Sequence, residues 1–157
     1  RRAEVIALTA IKFFLLRQDP RTTMLFDPKQ SLDFHGAPGP YCLYAYARCK
    51  SILRKAGGRE EKGTAFGLLG AAEELALLHK LAKLPEAVEG AAAKYDPAIL
   101  AQHVLETAQA FNQFYHACPV LNEKRELRQA RLALVEATAT VIQNGLRLLG
   151  IETLEAM

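Results

Sequence analysis

Gly39-Pro-Tyr-Cys-Leu-Tyr-Ala-Tyr-Ala-Arg48, continued by Cys49-Lys-Ser-Ile-Leu-Arg-Lys55, is the stretch whose reading decides the fold. Wound at about 100° per residue, it separates into two long faces. Cys42, Ala45, Tyr46, Cys49, Ile52, Leu53 and Ala56 recur at helical spacing and make a stripe for a core. Tyr41, Tyr44, Arg48, Ser51 and Lys55 fall on a second face, turned well away from the first. Rings interleaved with cations on a solvent face suit a single-stranded nucleic acid, because rings stack on unpaired bases while cations meet phosphates. The same tyrosines also suit a helix rim, with the ring half buried and the hydroxyl in water, and the pattern alone favours that simpler arrangement.

The rest of the chain predicts further helices. Ala3 to Arg17 is apolar nearly all round, and Asp19-Pro20 ends it by pushing the residue before proline out of the helical region. A helix with so little polar surface expects neighbours on more than one side. Either its own domain wraps it, or it is a cut edge against which something else packs; a chain that begins Arg1-Arg-Ala-Glu fits the second view. Thr22 to Phe26 reads as a connector and Asp27-Pro28 as the start of a short helix to about Phe34. His35 to Gly39 reads as a turn, Pro40 as the opening of the tyrosine helix, and Gly57 to Gly63 as a charged loop.

Beyond that loop the helical signal is weak around Gly67 and Gly70 and firm from Ala71. Pro85 begins a helix to about Lys94, and Asp96-Pro97 begins a long one to about Ala117, closed by Pro119. Asn122 is read as the cap of a last helix from about Glu123 to Leu149, with Gly150 where a C′ glycine belongs. No strand-like alternation of useful length and no 20–50-residue repeat occurs, so the expected class is an all-α bundle of about six to eight helices.

Composition bounds the function. The 157 residues make one domain with room for a real core, half of them hydrophobic and about a quarter charged. A net charge of +3 permits a polyanionic partner without demanding one. Three cysteines at 42, 49 and 118 read as reduced core thiols of a cytoplasmic protein, not as a disulfide framework. No signal-peptide pattern opens the chain, and no apolar run approaches the roughly 18 residues of a membrane span. His35, His79, His103 and His116 form no metal-binding pair, there is no Cys-x-x-Cys, and the glycines at 67 and 70 lack the Lys-Ser or Lys-Thr of a phosphate loop. Adjacent Glu60-Glu61 and Glu73-Glu74 read as solvated surface. Cys118 beside His116 reads as a packed helix end.

A second binding segment is Phe111-Asn-Gln-Phe-Tyr115-His-Ala-Cys-Pro, which sets Asn112, Tyr115 and His116 near a helix end. Asn can hydrogen-bond a base edge, and Tyr and His can stack. Lys124, Arg128 and Arg131 add a cationic stripe, whose default reading is a solvated face.

Three blocks together carry a resemblance: Gly39 to Arg54, Ala110-Phe-Asn-Gln-Phe-Tyr-His-Ala-Cys-Pro-Val-Leu and Leu132-Ala-Leu-Val-Glu-Ala-Thr. In that order they resemble the all-helical C-terminal anticodon-binding (DALR) domain of arginyl-tRNA synthetases, over essentially the whole chain. The resemblance implies that residues 1–157 are one anticodon-binding domain at the end of a longer synthetase, with residues 1–20 leading out of a catalytic domain. It implies arginine tRNA and that catalytic domain as partners, a monomer, and no membrane. The parent would be a class I ligase joining arginine to tRNA with ATP, with ATP and Mg in the absent catalytic domain and no cofactor here. The HIGH-type and KMSKS-type motifs do not occur, so this segment would bind tRNA and catalyse nothing. Carried over position by position, the tRNA-binding residues are Tyr41, Tyr44, Arg48, Tyr115 and the terminal Met157. Lys55 for a phosphate and Asn112 for a base edge come from the face analysis.

Ala37-Pro38 stand where the family commonly has Asn-Thr or Asn-Ser, Leu43 replaces a frequent Gln, and Tyr46 a frequent His. The tail Leu154-Glu-Ala-Met157 lacks the family's usual arginine. Two other classes remain open on residues alone. One is a helical protein–protein interaction module docking through the tyrosine face; the other is a free-standing enzyme with an unrecognised site.

Overall fold

Asp96 starts the central helix as its sequence predicts: its carboxylate accepts the backbone N–H of Ala98 at 3.0 Å, and Pro97 occupies the first turn. The computed structural model describes residues 1–23, 38–58 and 64–157. Among these lie α1 (Arg2–Leu16), α2 (Pro38–Ala56), a 3-10 turn (Phe66–Leu68), α3 (Ala72–Ala82), α4 (Leu84–Lys94), α5 (Pro97–Ala117) and α6 (Arg125–Leu148), and no strand. Lys83 alone parts α3 from α4, which puts the count at the low edge of the expected range. The short helix expected from Asp27 to Phe34 and most of the two predicted loops fall outside the described residues.

Helix α5 is the hub and packs against all five other helices. Helix α6 lies against it with opposite sense. Gly145 near the end of α6 meets Val104 and Leu100 near the start of α5, while Arg131 near the start of α6 reaches Pro119 just past the end of α5. Helix α2 fits between α1, α5 and α6, so Leu43 and Ala47 are buried along with the predicted stripe of Cys42, Ala45, Tyr46, Cys49 and Ile52. The crossing of α1 and α2 is close. A Cβ on Gly39 would lie 2.8 Å from both Phe13 Cβ and the Thr9 carbonyl. Helix α2 begins at Pro38 and takes in Gly39, which the sequence placed in a turn; both Pro38 and Pro40 sit in the first turn, where a missing N–H costs nothing.

The last helix begins at Arg125, not Glu123, and Lys124 instead of Asn122 stands at its cap without a side-chain bond. Glu123 lies 3.3 Å from Arg131 Nη1. At the other end the reading of Gly150 is right. It has φ of 69°, its N–H donates to Arg147 O at 2.9 Å and that of Ile151 to Leu146 O at 2.9 Å, with Leu146 and Ile151 both buried. This Schellman closure turns the tail back toward α2.

Helix α1 buries Val5, Thr9, Ala10 and Phe13 and leaves Leu8 and Leu15 exposed. The three cysteines are free and buried, and burial pushes the thiols of Cys42 and Cys49 far up from their ordinary value. No described helix is long and apolar enough to cross a membrane.

Candidate nucleic-acid interface

Tyr41, Tyr44 and Arg48 rise one helical turn at a time along the outer face of α2, and Asn112 and Tyr115 face them from the last two turns of α5. The α2–α5 packing that buries Cys49 and Phe111 sets these two rows side by side. Arg48 sits at their centre. Its Nη1 donates to Asn112 Oδ1 at 2.7 Å and its Nη2 to the Tyr44 hydroxyl at 2.9 Å. Its Cζ stands 4.5 Å from the Tyr44 ring centroid and 4.9 Å from that of Tyr115. Asn112 completes the chain by donating Nδ2 to the Tyr41 hydroxyl at 2.6 Å. The amide is therefore oriented from both ends, and the guanidinium is held by two bonds and two rings.

The rings keep much of their surface in solvent: Tyr41 is 37%, Tyr44 47% and Tyr115 39% exposed. Tyr115 is also packed along the helix, 6.2 Å from Phe111 between ring centroids and 6.0 Å from His116. Rigid rings with free faces are what a base needs to stack on at low ordering cost. Three hollows meet at Arg48. A wide one of about 900 Å³ runs over Tyr41, Tyr44 and Asn112 toward Gln109 and Gln113. A second of about 340 Å³ runs past Tyr115 toward Lys55. A third of about 240 Å³ lies between Tyr44, Arg54 and the terminal Met157.

Met157 reaches this position because the tail is pinned to α2. Arg54 donates to the Glu155 carbonyl at 3.2 Å, and Lys50 Nζ pairs with the Glu155 carboxylate at 3.1 Å. Arg54 and Lys50 were missed in the sequence, where nothing local links them to a residue about a hundred positions later. All of Tyr41, Tyr44, Arg48, Asn112, Tyr115 and Met157 are thus brought together, and Lys55 lies two turns beyond Arg48 at the edge of the second hollow.

The cationic stripe of α6 is a different matter. Arg131 is buried, not solvated: its Nε donates to Glu74 Oε1 at 2.6 Å and its Nη1 to the Pro119 carbonyl at 2.7 Å. Arg128 turns inward too, its Nη2 donating to the Ala56 carbonyl at the end of α2 at 3.2 Å. Glu74, read as surface, is 1% exposed. Its second oxygen accepts the N–H groups of Gly70 and Ala71 at 2.8 and 2.9 Å, closing the start of α3. Burial pushes its carboxyl up, but the hydrogen bonds from Ala71, Arg131 and Gly70 outweigh that and hold it below the ordinary glutamate value. No cluster of His, Cys, Asp or Glu able to hold a metal exists among the described residues.

An all-helical scaffold thus presents rings, an oriented amide and a guanidinium on one open face. The description of the DALR anticodon binding domain matches residues 42–157, and the chain belongs to that family. Relatives that match nearly the whole chain include arginine–tRNA ligases. That of Clostridium botulinum (strain 657 / Type Ba4) is 43% identical over 157 residues, covering 99% of this chain and 28% of that protein. That of Parabacteroides distasonis is 37% identical over 161 residues, covering 99% and 27%. Among solved structures, the arginyl-tRNA synthetase of Thermus thermophilus superposes with a TM-score of 0.89 at 38% identity, covering 99% of this chain and 27% of that one. The chain therefore spans little more than a quarter of the length of the relatives it matches.

Proposed function

We infer that this chain grips the anticodon loop of an arginine tRNA, as the anticodon-binding domain of an arginine–tRNA ligase. The observation that carries the reading is the arrangement at Arg48, where three half-exposed tyrosines and one amide are fixed around a single guanidinium. Bases of the loop unstack onto Tyr41, Tyr44 and Tyr115. Asn112 and Arg48 exchange their mutual hydrogen bond for base edges or phosphates, and Met157 closes one side. Residues 1–157 act as one domain, and the exposed Leu8 and Leu15 of α1 face the catalytic part of the synthetase, where ATP, Mg and arginine are handled. The ligase as a whole works as a monomer in the cytoplasm.

The test is a titration with the anticodon stem-loop of an arginine tRNA and with a copy whose central anticodon base is changed. The matched loop is expected to bind more tightly, and both to weaken as salt rises, since phosphate contacts release counterions. Tyr44→Ala is expected to weaken the matched loop about 5- to 100-fold, the equivalent of about 1–3 kcal/mol for one lost stack. Equal affinity for the two loops, or a silent Tyr44→Ala, would assign the face to a protein partner instead.

A further inference from the structure

The hollow of about 340 Å³ beside Tyr115 differs in chemistry from the ring face it adjoins. Arg48 and Tyr115 border it on the ring-face side, Lys55 and Ser51 line another side, and Pro119, Leu121 and Asn122 stand opposite. Lys55 is exposed and has no ion pair among the described residues, whereas Lys50 pairs with Glu155 and Arg128 of α6 is engaged by the Ala56 carbonyl. Its ammonium is therefore available to a phosphate without first leaving a partner. Pro119 and Leu121 offer an apolar surface that suits the face of a base of any identity. Asn122, exposed, carries an amide that can meet a base edge as donor and acceptor. A cation, an apolar platform and an amide within one cavity match the phosphate of a nucleotide and the face and edge of its base.

The wall at residues 119–122 is also preformed. Arg131 holds the Pro119 carbonyl at 2.7 Å, and Arg131 is itself fixed by buried Glu74 and by Glu123. Binding there need not order a loop, which removes a cost that flexible sites bear. Tyr115 and His116 connect the hollow to the ring face, so a strand stacked on Tyr115 reaches it without leaving the surface.

We propose that this hollow is a separate subsite for one loop nucleotide outside the anticodon triplet, adjoining the nucleotide on Tyr115. Its phosphate sits on Lys55, its base lies on Pro119 and Leu121, and Asn122 meets its edge. The subsite rests on the reading that RNA occupies the ring face, and the test separates the two. The arginine anticodon stem-loop is prepared with each loop phosphate in turn replaced by an uncharged methylphosphonate, and titrated against the chain, Lys55→Gln, Asn122→Ala and Tyr44→Ala. Lys55 and Asn122 are exposed, so these variants keep the fold.

One methylphosphonate outside the triplet is expected to weaken binding about 3- to 10-fold in the unaltered chain and to have no effect in Lys55→Gln, whose salt slope falls by about one. An abasic site at that nucleotide is expected to weaken the unaltered chain more than it weakens Asn122→Ala, which keeps the platform of Pro119 and Leu121 and still discriminates the central anticodon base. If Lys55 couples to a phosphate inside the triplet, or to none, while Tyr44→Ala still weakens binding, the subsite is refuted and the ring face stands. If the stem-loop does not bind, or Tyr44→Ala is silent, both fall.

Discussion

Arg131→Met is expected to destabilise the chain by about 3–5 kcal/mol. The methionine fills most of the arginine's volume, so the loss is electrostatic. Glu74 stays buried with only two backbone N–H donors, and the Pro119 carbonyl loses its partner. Removing one member of a buried pair strands the other charge, and that stranding is where the cost lies. Glu74→Leu combined with Arg131→Met removes both charges and is expected to recover part of the loss, although the Gly70 and Ala71 N–H groups remain unpaired. Urea denaturation of the singles and the double measures this. A double variant no more stable than Arg131→Met alone would show that the ion pair is not what the single variant broke.

The same pair fixes a pH dependence. Glu74 is held below the ordinary glutamate value in the folded chain, so the unfolded chain takes up the proton first as pH falls. Stability from this group is complete above the unfolded glutamate value of about 4.3 and is lost as pH drops through the lower folded value. Glu106, held low chiefly by its hydrogen bond from Lys80 and then by that from Gln102, acts in the same direction. In Arg131→Met the Glu106 contribution persists and that of Glu74 shrinks. The acid-side fall in the urea midpoint is therefore expected to be shallower than in the parent chain.

These inward contacts mark the boundary of what the sequence reveals. The faces of α2 are legible because Tyr41, Tyr44 and Arg48 follow the helical period through a stretch whose opposite side is unambiguously apolar. Asp96 and Gly150 are legible because a cap is a local bond between a side chain or a special φ and the nearest backbone. Glu74 is not. Glu73 and Glu74 are chemically alike, and the one that is buried is chosen by Arg131, 57 positions away. Arg131 in turn sits in a cationic spacing that solvated helices use freely, and only its contacts with Glu74 and Pro119 distinguish it. The placement of Met157 has the same character, since Lys50 and Arg54 hold the tail through Glu155. Long-range ion pairs leave no period in the sequence.

Arg48 is where the largest functional effect is expected. It touches both rows of the site: Tyr44 through a hydrogen bond and a ring contact, Asn112 through a hydrogen bond, and Tyr115 through a ring contact. Arg48→Ala removes a cation from the RNA surface and also frees Tyr44, Tyr115 and Asn112 to move, so every stacked base loses part of its support. An effect of about 100-fold on stem-loop affinity follows, equivalent to about 2.7 kcal/mol and within the range of a central interface arginine. Arg48→Lys separates the two contributions. A lysine keeps the charge but cannot make the planar two-bond fork or lie flat against a ring, so affinity is expected to fall about 10-fold with the salt slope nearly unchanged. If Arg48→Lys binds as tightly as the parent chain, Arg48 acts as a point charge and the ring geometry is incidental. If Arg48→Lys is as weak as Arg48→Ala, the fork to Tyr44 and Asn112, rather than the charge, organises the face.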